Sequence, residues 1–513
     1  MTSDSRSVER EIKLAVGTGF NLPDLRGVVA GTVRLPEQQT RALYFDTPDL
    51  RLWRVSVTLR HRSGEGPGEG TWTLKVPIAD EGPTLDRTEL TWPGGPDSIP
   101  EEAAGIVRGI VRRASLVQVA ELLATRRRLA LHDTGGASFG EIDDDTVTVV
   151  MQDGESRRFR QIELELGNGG PAVMDAVIDE LLRAGAQRDG EPKLGKALRM
   201  AGRQLHAHEP VIVHRHSSMA EVVKASIRQG LDRLLEHDIR LRLDATDPAS
   251  YDVHQARVAT RRLRSDLKLL GRELDPVWLV HTRDELKWLG GVLGSVRDAD
   301  VLSGSLLTAD SVIEAGGTLE LRARLEGDRR MAARDLAATL DDPRYLGLLD
   351  GLDAASALPP LVPAGGKRHR HHGKGADAAA RKVLPGLVKR RLRSLRRTVR
   401  ASGRQPSDSQ LHQIRIRAKQ LRYAAETATP IIGEPARRMA VTAEELQTVL
   451  GEHHDAVAAE QWLRHQALSG TRSAAFSAGV LVAGERRRQH KLRHRWRAVW
   501  VRLDGKGMRR SLQ

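Results

Sequence analysis

Charged side chains recur at every second position in a series of short segments, and this spacing constrains the fold more than any other feature of the chain. The first segment places Glu9, Glu11 and Lys13 in alternation with Ile12 and Leu14. Alternate side chains of a strand share one face, so the spacing predicts a strand with two carboxylates and an ammonium on one face. Carboxylate oxygens suit Mg²⁺ or Mn²⁺, and lysine is a point charge for phosphate. For one segment alone, a solvated strand face is the simpler interpretation.

The same alternation returns in later segments, which strengthens the prediction of a charged sheet face. An ordinary antiparallel sheet packs its apolar face and turns its polar face to water. If the sheet instead closed on itself, its charged face would surround a lumen, where like charges packed together need counter-ions. A polyanion and its metals would supply them. The charged positions of these segments are Arg60, Arg62, Lys75, Arg87, Glu89, Arg126, Arg128, Glu141, Asp143, Glu163 and Glu165.

Residues 1–205 contain six motifs in a fixed order: Glu9-x-Glu11-x-Lys13, Tyr44-Phe45-Asp46-Thr47-Pro48, Leu59-Arg60-His61-Arg62, Thr73-Leu74-Lys75, Ile162-Glu163-Leu164-Glu165 and Lys193-Leu194-Gly195-Lys196. Together they resemble the CYTH family, the triphosphate tunnel metalloenzymes. The resemblance implies a closed tunnel of antiparallel strands that acts on triphosphates with Mg²⁺ or Mn²⁺. One departure is Pro192, which stands where the family often has serine, so a hydroxyl contact at that point is in doubt.

The resemblance also implies a role for each charged position. Lys13 would act in catalysis together with Glu9 and Glu11. The metal ligands would be Glu9, Glu11, Asp143, Glu163 and Glu165. The substrate phosphates would be held by Arg60, Arg62, Lys75, Arg87, Arg126, Arg128 and Lys193.

The charge of the chain divides between its two parts. Residues 1–210 hold 27 Lys and Arg against 32 Asp and Glu, whereas residues 211–513 hold 54 against 35. All of the excess positive charge therefore lies in the second part, which indicates a polyanionic partner there. Nucleic acid, polyphosphate and an anionic membrane surface all remain open on charge alone.

Other features of the composition exclude whole classes of chemistry. Cysteine is absent, which excludes disulfides, thiolate catalysis and cysteine-ligated metals. The first residues lack the basic-then-apolar order of a signal peptide, and no apolar run approaches the roughly 20 residues that span a bilayer. We therefore expect a soluble cytoplasmic protein without a membrane partner, which could associate with polyphosphate granules.

The second part predicts helices that contain an internal repeat. The pattern His254-x-x-Arg257-x-x-x-Arg261-x-x-Arg264 recurs as His412-x-x-Arg415-x-x-x-Lys419-x-x-Arg422. A second motif, Val292-Leu293-Gly294-x-x-Arg297-Asp298, recurs as Val449-Leu450-Gly451-x-x-His454-Asp455. The expected fold is multidomain α+β, with the closed antiparallel tunnel over 1–205, a linker over 206–216 and duplicated helical bundles over 217–505. The repeats would cover about 217–350 and 376–505.

Helical geometry gives the repeat a chemical meaning. Positions 0, 3, 7 and 10 of a helix fall on one stripe, and the same helical geometry puts Leu263, Leu267 and Leu270 on the opposite side. A stripe of like charges lowers helix stability, so its occurrence in both copies favours an anionic ligand over a merely solvated face. Arginine forks suit phosphate oxygens.

This second part resembles the CHAD family, and CYTH followed by CHAD is a known domain order. The resemblance spans about 215–505 and implies binding of inorganic polyphosphate. Lys419 replaces an arginine in the second copy, and Asp298 and Asp455 could orient the basic side chains or cap helices. The polyphosphate-binding residues would be His254, Arg257, Arg261, Arg264, His412, Arg415, Lys419 and Arg422.

The expected function is metal-dependent hydrolysis of inorganic triphosphate or a related triphosphate, with polyphosphate bound by the helical part. The alternatives are a non-catalytic polyphosphate-binding adaptor, or a tunnel enzyme that acts on thiamine or nucleoside triphosphate or cyclises ATP. Sequence-specific nucleic-acid binding is disfavoured because aromatics are 3% of the chain and no zinc-finger or RNA-recognition pattern occurs. Oligomeric state and any role of the His-rich segment 367–374 stay open.

Overall fold

The computed structural model describes residues 7–9, 11–64, 68–77, 87–151, 155–166, 171–203, 211–307, 316–362, 376–505 and 508. For residues 7–9, 11, 166, 171, 172, 305–307 and 316 it describes the backbone alone. The chain forms two compact units, Met1–Glu209 and Pro210–Gln513. Residues 206–210 of the predicted linker 206–216 and the His-rich segment 367–374 lie outside the described residues. The predicted domain boundaries stay predictions.

The first unit is built on an antiparallel sheet. Its strand order is β1-β7-β6-β5-β4-β8-β9-β10-β2-β11, and β3 pairs separately with β8. The described strands are β1 Ser7–Glu9, β2 Glu11–Val16, β3 Gly31–Arg34, β4 Gln38–Asp46, β5 Thr58–Ser63, β6 Thr71–Pro77, β7 Arg87–Pro93, β8 Val117–His132, β9 Ser138–Val150, β10 Ser156–Leu166 and β11 Gln187–Arg188.

Within the described residues of the first unit, five helices accompany this sheet. They are α1 Arg51–Arg54, α2 Glu101–Ile106, α3 Arg108–Val111, α4 Pro171–Arg183 and α5 Lys193–Met200.

Strand register separates a charged face from an apolar face, as the alternation predicted. Arg128 lies opposite Asp143, which lies opposite Glu163, which lies opposite Lys13, so one row of charge crosses β8, β9, β10 and β2. The intervening residues, among them Ile142 and Leu164, are fully buried in a cluster with side chains of α4. Burying the apolar face under α4 leaves the charged face turned the other way.

Helix α5 packs on the charged side of the same sheet, near its end. Leu194 and Leu198 of α5 are buried with Val147 and Val149 of β9. These valines alternate along β9 in step with Asp143, so they share its face. The packing of α5 therefore brings the first residue of the helix, Lys193, to the charged face.

The predicted closure of the sheet is not decided by the strand pairing. The order runs as an open path from β1 to β11 among the described strands. β1 pairs with β7 near one end, and β2 pairs with β10 near the other. A single residue separates β1 from β2. Strands near both ends of the sheet, β7 and β10, therefore pair with neighbouring parts of one segment.

The second unit consists of helices over all of its described secondary-structure elements, so the predicted α+β organisation of the whole chain is confirmed. The predicted repeat falls on equivalent helices, because α7 and α12 carry the His/Arg pattern and α8 and α13 carry the second motif. The helices are α6 Met219–Leu243, α7 Ser250–Leu269, α8 Pro276–Leu307, α9 Gly316–Asp341, α10 Pro343–Ala357, α11 Ala380–Ala401, α12 Asp408–Ile432, α13 Glu434–Ser469 and α14 Arg472–Leu503.

The helices share one hydrophobic core that runs through both repeats. Leu263 and Leu267 of α7 lie in the same buried cluster as Leu411 and Leu421 of α12, so the prediction that the leucine side of α7 packs is confirmed.

Ser407 begins α12 with a capping box, in which its hydroxyl accepts from the amide of Gln410. No described helix is long and apolar enough to cross a membrane.

Candidate functional site

A polar cavity of about 80 Å³ lies on the charged face of the first unit's sheet. On a comparable measure, one water needs about 10–15 Å³, so this sheet cavity has room for several waters or phosphate oxygens. Strands β2, β4, β5, β6, β7, β8 and β10 and the start of α5 all contribute to its lining. The lining residues are Lys13, Tyr44, Thr58, Arg60, Arg62, Lys75, Arg87, Glu89, Arg126, Glu163, Glu165, Pro192, Lys193 and Leu194.

One side of the sheet cavity is mainly basic. Lys75 and Arg87 are each only 7% exposed, although cations are almost never fully buried unless they are paired. The Nζ atom of Lys75 lies 3.3 Å from an oxygen of Glu89 on the next strand. Arg60 and Arg62 lie two residues apart on β5, so both guanidinium groups arise from the same strand face.

On the other side of the sheet cavity, carboxylates orient two cations. Lys193 donates to Asp145 at 2.5 Å and to Glu163 at 2.6 Å. Arg126 donates two hydrogen bonds of 2.9 Å to Asp145 and one of 3.3 Å to Glu163. This forked geometry fixes the guanidinium plane. Arg126 and Lys193 are therefore held in place before any ligand arrives.

Electrostatics divides the carboxylates of this side into two kinds. Burial disfavours ionisation of Glu163, but Lys193 and Lys13 outweigh it and hold its pKa well below the usual range. Burial raises the pKa of Asp143 to about 8, against the opposing effect of Arg126 and with a further rise from Glu165. The Oδ1 atom of Asp143 is buried and accepts no hydrogen bond in the described part of the chain. Asp143 is thus a carboxylate that a further positive charge would stabilise.

The described residues do not by themselves form a metal site. No three His, Cys, Asp or Glu side chains within them are arranged to hold a metal ion. Two of the predicted ligands are missing from that set, because the side chains of Glu9 and Glu11 lie outside the described residues. Their backbone positions are known: Glu9 pairs with Arg87 and Glu11 pairs with Glu165, both of which line the sheet cavity.

Two predicted residues do not line the sheet cavity. Arg128 donates to Glu141 through Nη2 at 3.0 Å, and its Nε lies 3.9 Å from Asp143. Asp143 itself is not in the lining and forms an ion pair with Arg126. The nine other predicted residues with described side chains do line it. Sequence reasoning gave no role to Tyr44, Thr58, Glu89 and Asp145, which the structure places in the lining or in contact with it.

The motif around Tyr44 has a structural role beside the sheet cavity. Asp46 is 1% exposed and its carboxylate accepts from the amides of Thr47 at 2.6 Å, Leu52 at 2.9 Å and Trp53 at 2.9 Å. The bonds from Leu52 and Trp53 satisfy amides in the first turn of α1, where no neighbour within the helix can do so. Asp46 therefore fixes the end of the strand that carries Tyr44.

Asp46→Asn should lower the free energy of unfolding of the first unit by about 1–3 kcal/mol. The new amide group would face one of the three backbone amides and leave it without an acceptor. Urea denaturation of the full chain, followed by a signal from the first unit, measures the change. The exposed Asp97→Asn is the matched control, and an equal effect of both substitutions would contradict the assigned role.

In the second unit, the predicted basic residues meet between α7 and α12. We call His254, Arg257, Arg261, Arg264, His412, Arg415, Lys419 and Arg422 the repeat cluster. Charges from the two copies act on each other: Arg261 lies near Arg415, and Lys419 lies near Arg261 and Arg257. The two stripes therefore face one another and form one basic surface.

The second motif of the repeat explains how the arginines are seated. A Cβ atom on Gly294 would lie 3.6 Å from the guanidinium of Arg257, and one on Gly451 would lie 3.4 Å from Nε of Arg415. Each glycine thus lets an arginine lie against the following helix. Arg257 also donates to Asp298 at 2.7 Å, so this aspartate, inside α8, orients the arginine and does not cap a helix.

Several guanidinium nitrogens of the repeat cluster lack a hydrogen-bond acceptor within the described residues. The Nε atoms of Arg257, Arg261 and Arg415 are buried without a hydrogen-bond acceptor. Burial, followed by the charges of Arg261 and Arg415, lowers the pKa of Lys419 to about 7. Gathering these groups is unfavourable in the free protein, and an anion would relieve it.

Not every member of the repeat cluster is free to bind an anion. Arg422 donates to Glu426 at 2.7 Å and lies 2.9 Å from Glu444 of α13. His412 packs against His454, with ring centroids 4.5 Å apart. Arg422 is therefore satisfied by carboxylates, which the repeat pattern did not reveal.

The fold and both sites define a two-part protein, an antiparallel sheet with a charged cavity and a duplicated helical unit. A CYTH domain model matches residues 7–190, and a CHAD domain model matches residues 225–464. The chain belongs to the family in which a CYTH domain is followed by a CHAD domain. It is 31% identical over 534 aligned residues to Uncharacterized protein Rv2226 of Mycobacterium tuberculosis strain H37Rv, with 98% of this chain and 97% of that protein covered.

Two solved structures resemble single parts of the chain. The CHAD domain from the plant Ricinus communis is 23% identical with a TM-score of 0.44, and the match covers 59% of this chain and 94% of that one. The Hippeastrum protein HpAC1, described as having a dominant triphosphatase activity, is 18% identical with a TM-score of 0.26. The match covers 39% of this chain and 99% of that one.

Proposed function

We propose that the first unit hydrolyses inorganic triphosphate or a closely related triphosphate, and that the second unit binds inorganic polyphosphate. The observation that supports the first half is the sheet cavity, where cations from opposite sides converge on a small polar space. Its basic side suits the oxygens of a triphosphate, and its acidic side suits divalent metals. Membership of the CYTH family also supports action on a triphosphate.

The proposal includes closure of the sheet into a tunnel. The stretch that contains β1 and β2 pairs with β7 through its first part and with β10 through its second. Such a stretch would join the two ends of the sheet into a tunnel. Glu9 and Glu11 would then project between the basic strand of Arg87 and the acidic strand of Glu165.

Oxygen ligands of this kind fit Mg²⁺ or Mn²⁺. Glu9, Glu11, Asp143, Glu163 and Glu165 would hold the metal. The Oδ1 atom of Asp143 is buried and accepts no hydrogen bond in the described part of the chain, so it is available as a ligand. When bound, the metal would neutralise phosphate oxygens and lower the pKa of an attacking water.

The side chains of the cavity would do the remaining work. Arg60, Arg62, Lys75 and Arg87 would bind the phosphate oxygens. Arg126 and Lys193, already oriented by Asp145 and Glu163, would stabilise charge that develops in the transition state. The residues that would contact the substrate, in addition to these six, are Lys13 and Tyr44.

The composition of the lining favours an inorganic substrate over a nucleotide. Among the described lining residues, Tyr44, Pro192 and Leu194 are the aromatic or aliphatic ones, and the others are charged apart from Thr58. A nucleobase or thiazolium group needs more apolar surface than this. Adenylate cyclisation and hydrolysis of thiamine or nucleoside triphosphate are therefore the less favoured reactions.

For the second unit, the supporting observation is the convergence of both repeat stripes. The Nε atoms of Arg257, Arg261 and Arg415 are buried without acceptors in the described residues, and bidentate arginine geometry suits successive phosphates. Polyphosphate bound there would keep the tunnel enzyme close to its substrate. A purely binding protein, with no turnover in the first unit, is the rival that the experiment must separate.

The test is phosphate release from inorganic triphosphate, long-chain polyphosphate and ATP, each with Mg²⁺, Mn²⁺ or EDTA. We expect strong metal-dependent release from triphosphate and little from ATP. Glu9→Gln combined with Glu11→Gln should abolish it, and unchanged release would show the proposed site to be wrong. No release from any substrate, together with tight polyphosphate binding, would establish the binding protein instead.

A further inference from the structure

A second group of cations lies beyond the repeat cluster, and the repeat pattern does not include it. We call Lys268, Arg283, Arg391 and Arg417 the second cluster. They come from four different helices: α7, α8, α11 and α12 respectively. Lys268 is near Arg283, Arg391 and Arg417, and Arg391 is in turn near Arg417 and Arg283. Four helices thus deliver positive charge to one place.

The second cluster has few partners of opposite charge. Within the described residues, none of its four members forms an ion pair with a carboxylate. Arg391 donates to the carbonyl of Lys268 at 3.5 Å, Arg417 donates to the amide oxygen of Gln420 at 3.2 Å, and Nε of Arg283 is buried without an acceptor. Like charges gathered without counter-ions are unfavourable, so the arrangement indicates an anionic ligand.

Helix α7 joins the two clusters. Its stripe runs from His254 through Arg257, Arg261 and Arg264 to Lys268, and Arg264 is near Arg283 of the second cluster. Fourteen residues separate His254 from Lys268, a distance of about 21 Å at 1.5 Å per residue. A triphosphate would cover one end of this stripe, whereas a longer chain would reach both clusters.

We propose that the second cluster is a second anion subsite that extends the repeat cluster, so that the helical unit favours polyphosphate chains long enough to contact both. This inference rests on the proposed polyphosphate binding and adds the chain length that the unit selects. Each further phosphate contact adds affinity through the effective concentration of a tethered chain. Short chains would bind through the repeat cluster alone.

The chemistry of the second cluster favours polyphosphate over single-stranded nucleic acid. Base stacking on aromatic side chains contributes much of the binding of single strands, and aromatic residues make up only 3% of this chain. A chain of phosphates without bases needs only the cations that are present.

The test compares the full-length protein with a triple variant, Lys268→Gln, Arg391→Gln and Arg417→Gln. EDTA is present so that the probes are not hydrolysed. The affinity for long-chain polyphosphate should fall about tenfold or more, equivalent to 1.4 kcal/mol. The salt dependence should become shallower by about 0.7 in log–log slope for each lost contact. The triple variant Arg381→Gln, Arg397→Gln and Arg438→Gln removes equal charge from exposed positions and is the control.

Inorganic triphosphate is the short probe. Triphosphate bound to the helical unit is the binding that is lost when Arg261→Gln is combined with Arg415→Gln. This binding should be unchanged in the second-cluster variant. Retained short-chain binding also shows that the variant is folded. An unchanged long-chain affinity, an equal loss for both lengths, or stronger binding of single-stranded DNA than of polyphosphate would overturn the inference. If no polyphosphate bound to the unaltered protein, the proposed function itself would fail.

Discussion

Glu163→Gln should lower the rate of metal-dependent phosphate release from inorganic triphosphate by about 100-fold or more. Glu163 is 6% exposed and accepts hydrogen bonds from both Lys193 and Arg126. An amide keeps the shape of the side chain but loses the charge that orients these two cations. It also removes one of the oxygens proposed to hold the metal.

Glu163 occupies a central position among the charged residues of the sheet. Its backbone lies opposite Lys13 on one side and Asp143 on the other, so it stands in the row of charge that crosses four strands. Because Lys193 would still be bound by Asp145, the variant should fold. The rate should therefore fall through kcat, since an interaction made in the transition state has been lost.

The matched control is Glu121→Gln on β8, a residue that pairs with Arg41 at 2.7 Å on the sheet surface. It makes the same chemical change outside the sheet cavity and should leave the rate within about twofold. Steady-state kinetics of phosphate release and thermal unfolding should be measured on both variants. A Glu163→Gln protein that is folded and fully active would show that the sheet cavity is not the reaction site.

Period-2 alternation predicted most of the sheet cavity because strand geometry leaves a charged side chain only two directions. It failed where the sequence carries charge on both faces at once. In the run Asp143-Asp144-Asp145, Asp144 points away and binds Arg160 at 2.6 Å, while Asp145 contacts Lys193. Consecutive aspartates hide the alternation, so Asp145 received no role.

Other differences arise from the length of the strands and from tertiary contacts. Arg128 has the correct parity, but β8 continues past the sheet cavity, where Glu141 accepts from this arginine. In the helical unit, the repeat predicted each stripe but not which helices would place the stripes together. Glu444, which binds Arg422, comes from α13 and is invisible to reasoning about one helix.

Polyphosphate binding to the helical unit should weaken as the pH rises from about 6.5 to 8.5, by up to about tenfold per pH unit above pH 7. The cause is Lys419, whose pKa in the free protein is lowered to about 7 by burial and then by Arg261, Arg415, Arg257 and Arg264. A bound polyanion favours the charged ammonium and so raises this pKa. Below pH 7 the free protein already carries the proton on Lys419, so this group no longer makes the affinity depend on pH.

Above pH 7, binding must return the proton to Lys419, so the association constant falls until the pH passes the raised pKa of the complex. His254, His412 and His454 have pKa values that burial lowers below the ordinary histidine value. A bound polyanion would raise these pKa values too, so the histidines add to the slope, and Lys419→Arg, which leaves them in place, measures their share. Calorimetry in buffers of different ionisation enthalpy at pH 8 should detect an uptake of up to about one proton per site.

The first copy of the repeat shows which substitution isolates the effect, because it has Arg261 where the second copy has Lys419. A guanidinium stays charged across this range, so Lys419→Arg should bind polyphosphate with little pH dependence and without proton uptake at pH 8. Lys287→Arg, an exchange at an exposed lysine of α8, should keep the wild-type profile. If the affinity of Lys419→Arg for polyphosphate still fell with pH as steeply as that of the wild type, the proton would be taken up by another group. Lys419 would then not be the cause of the pH dependence.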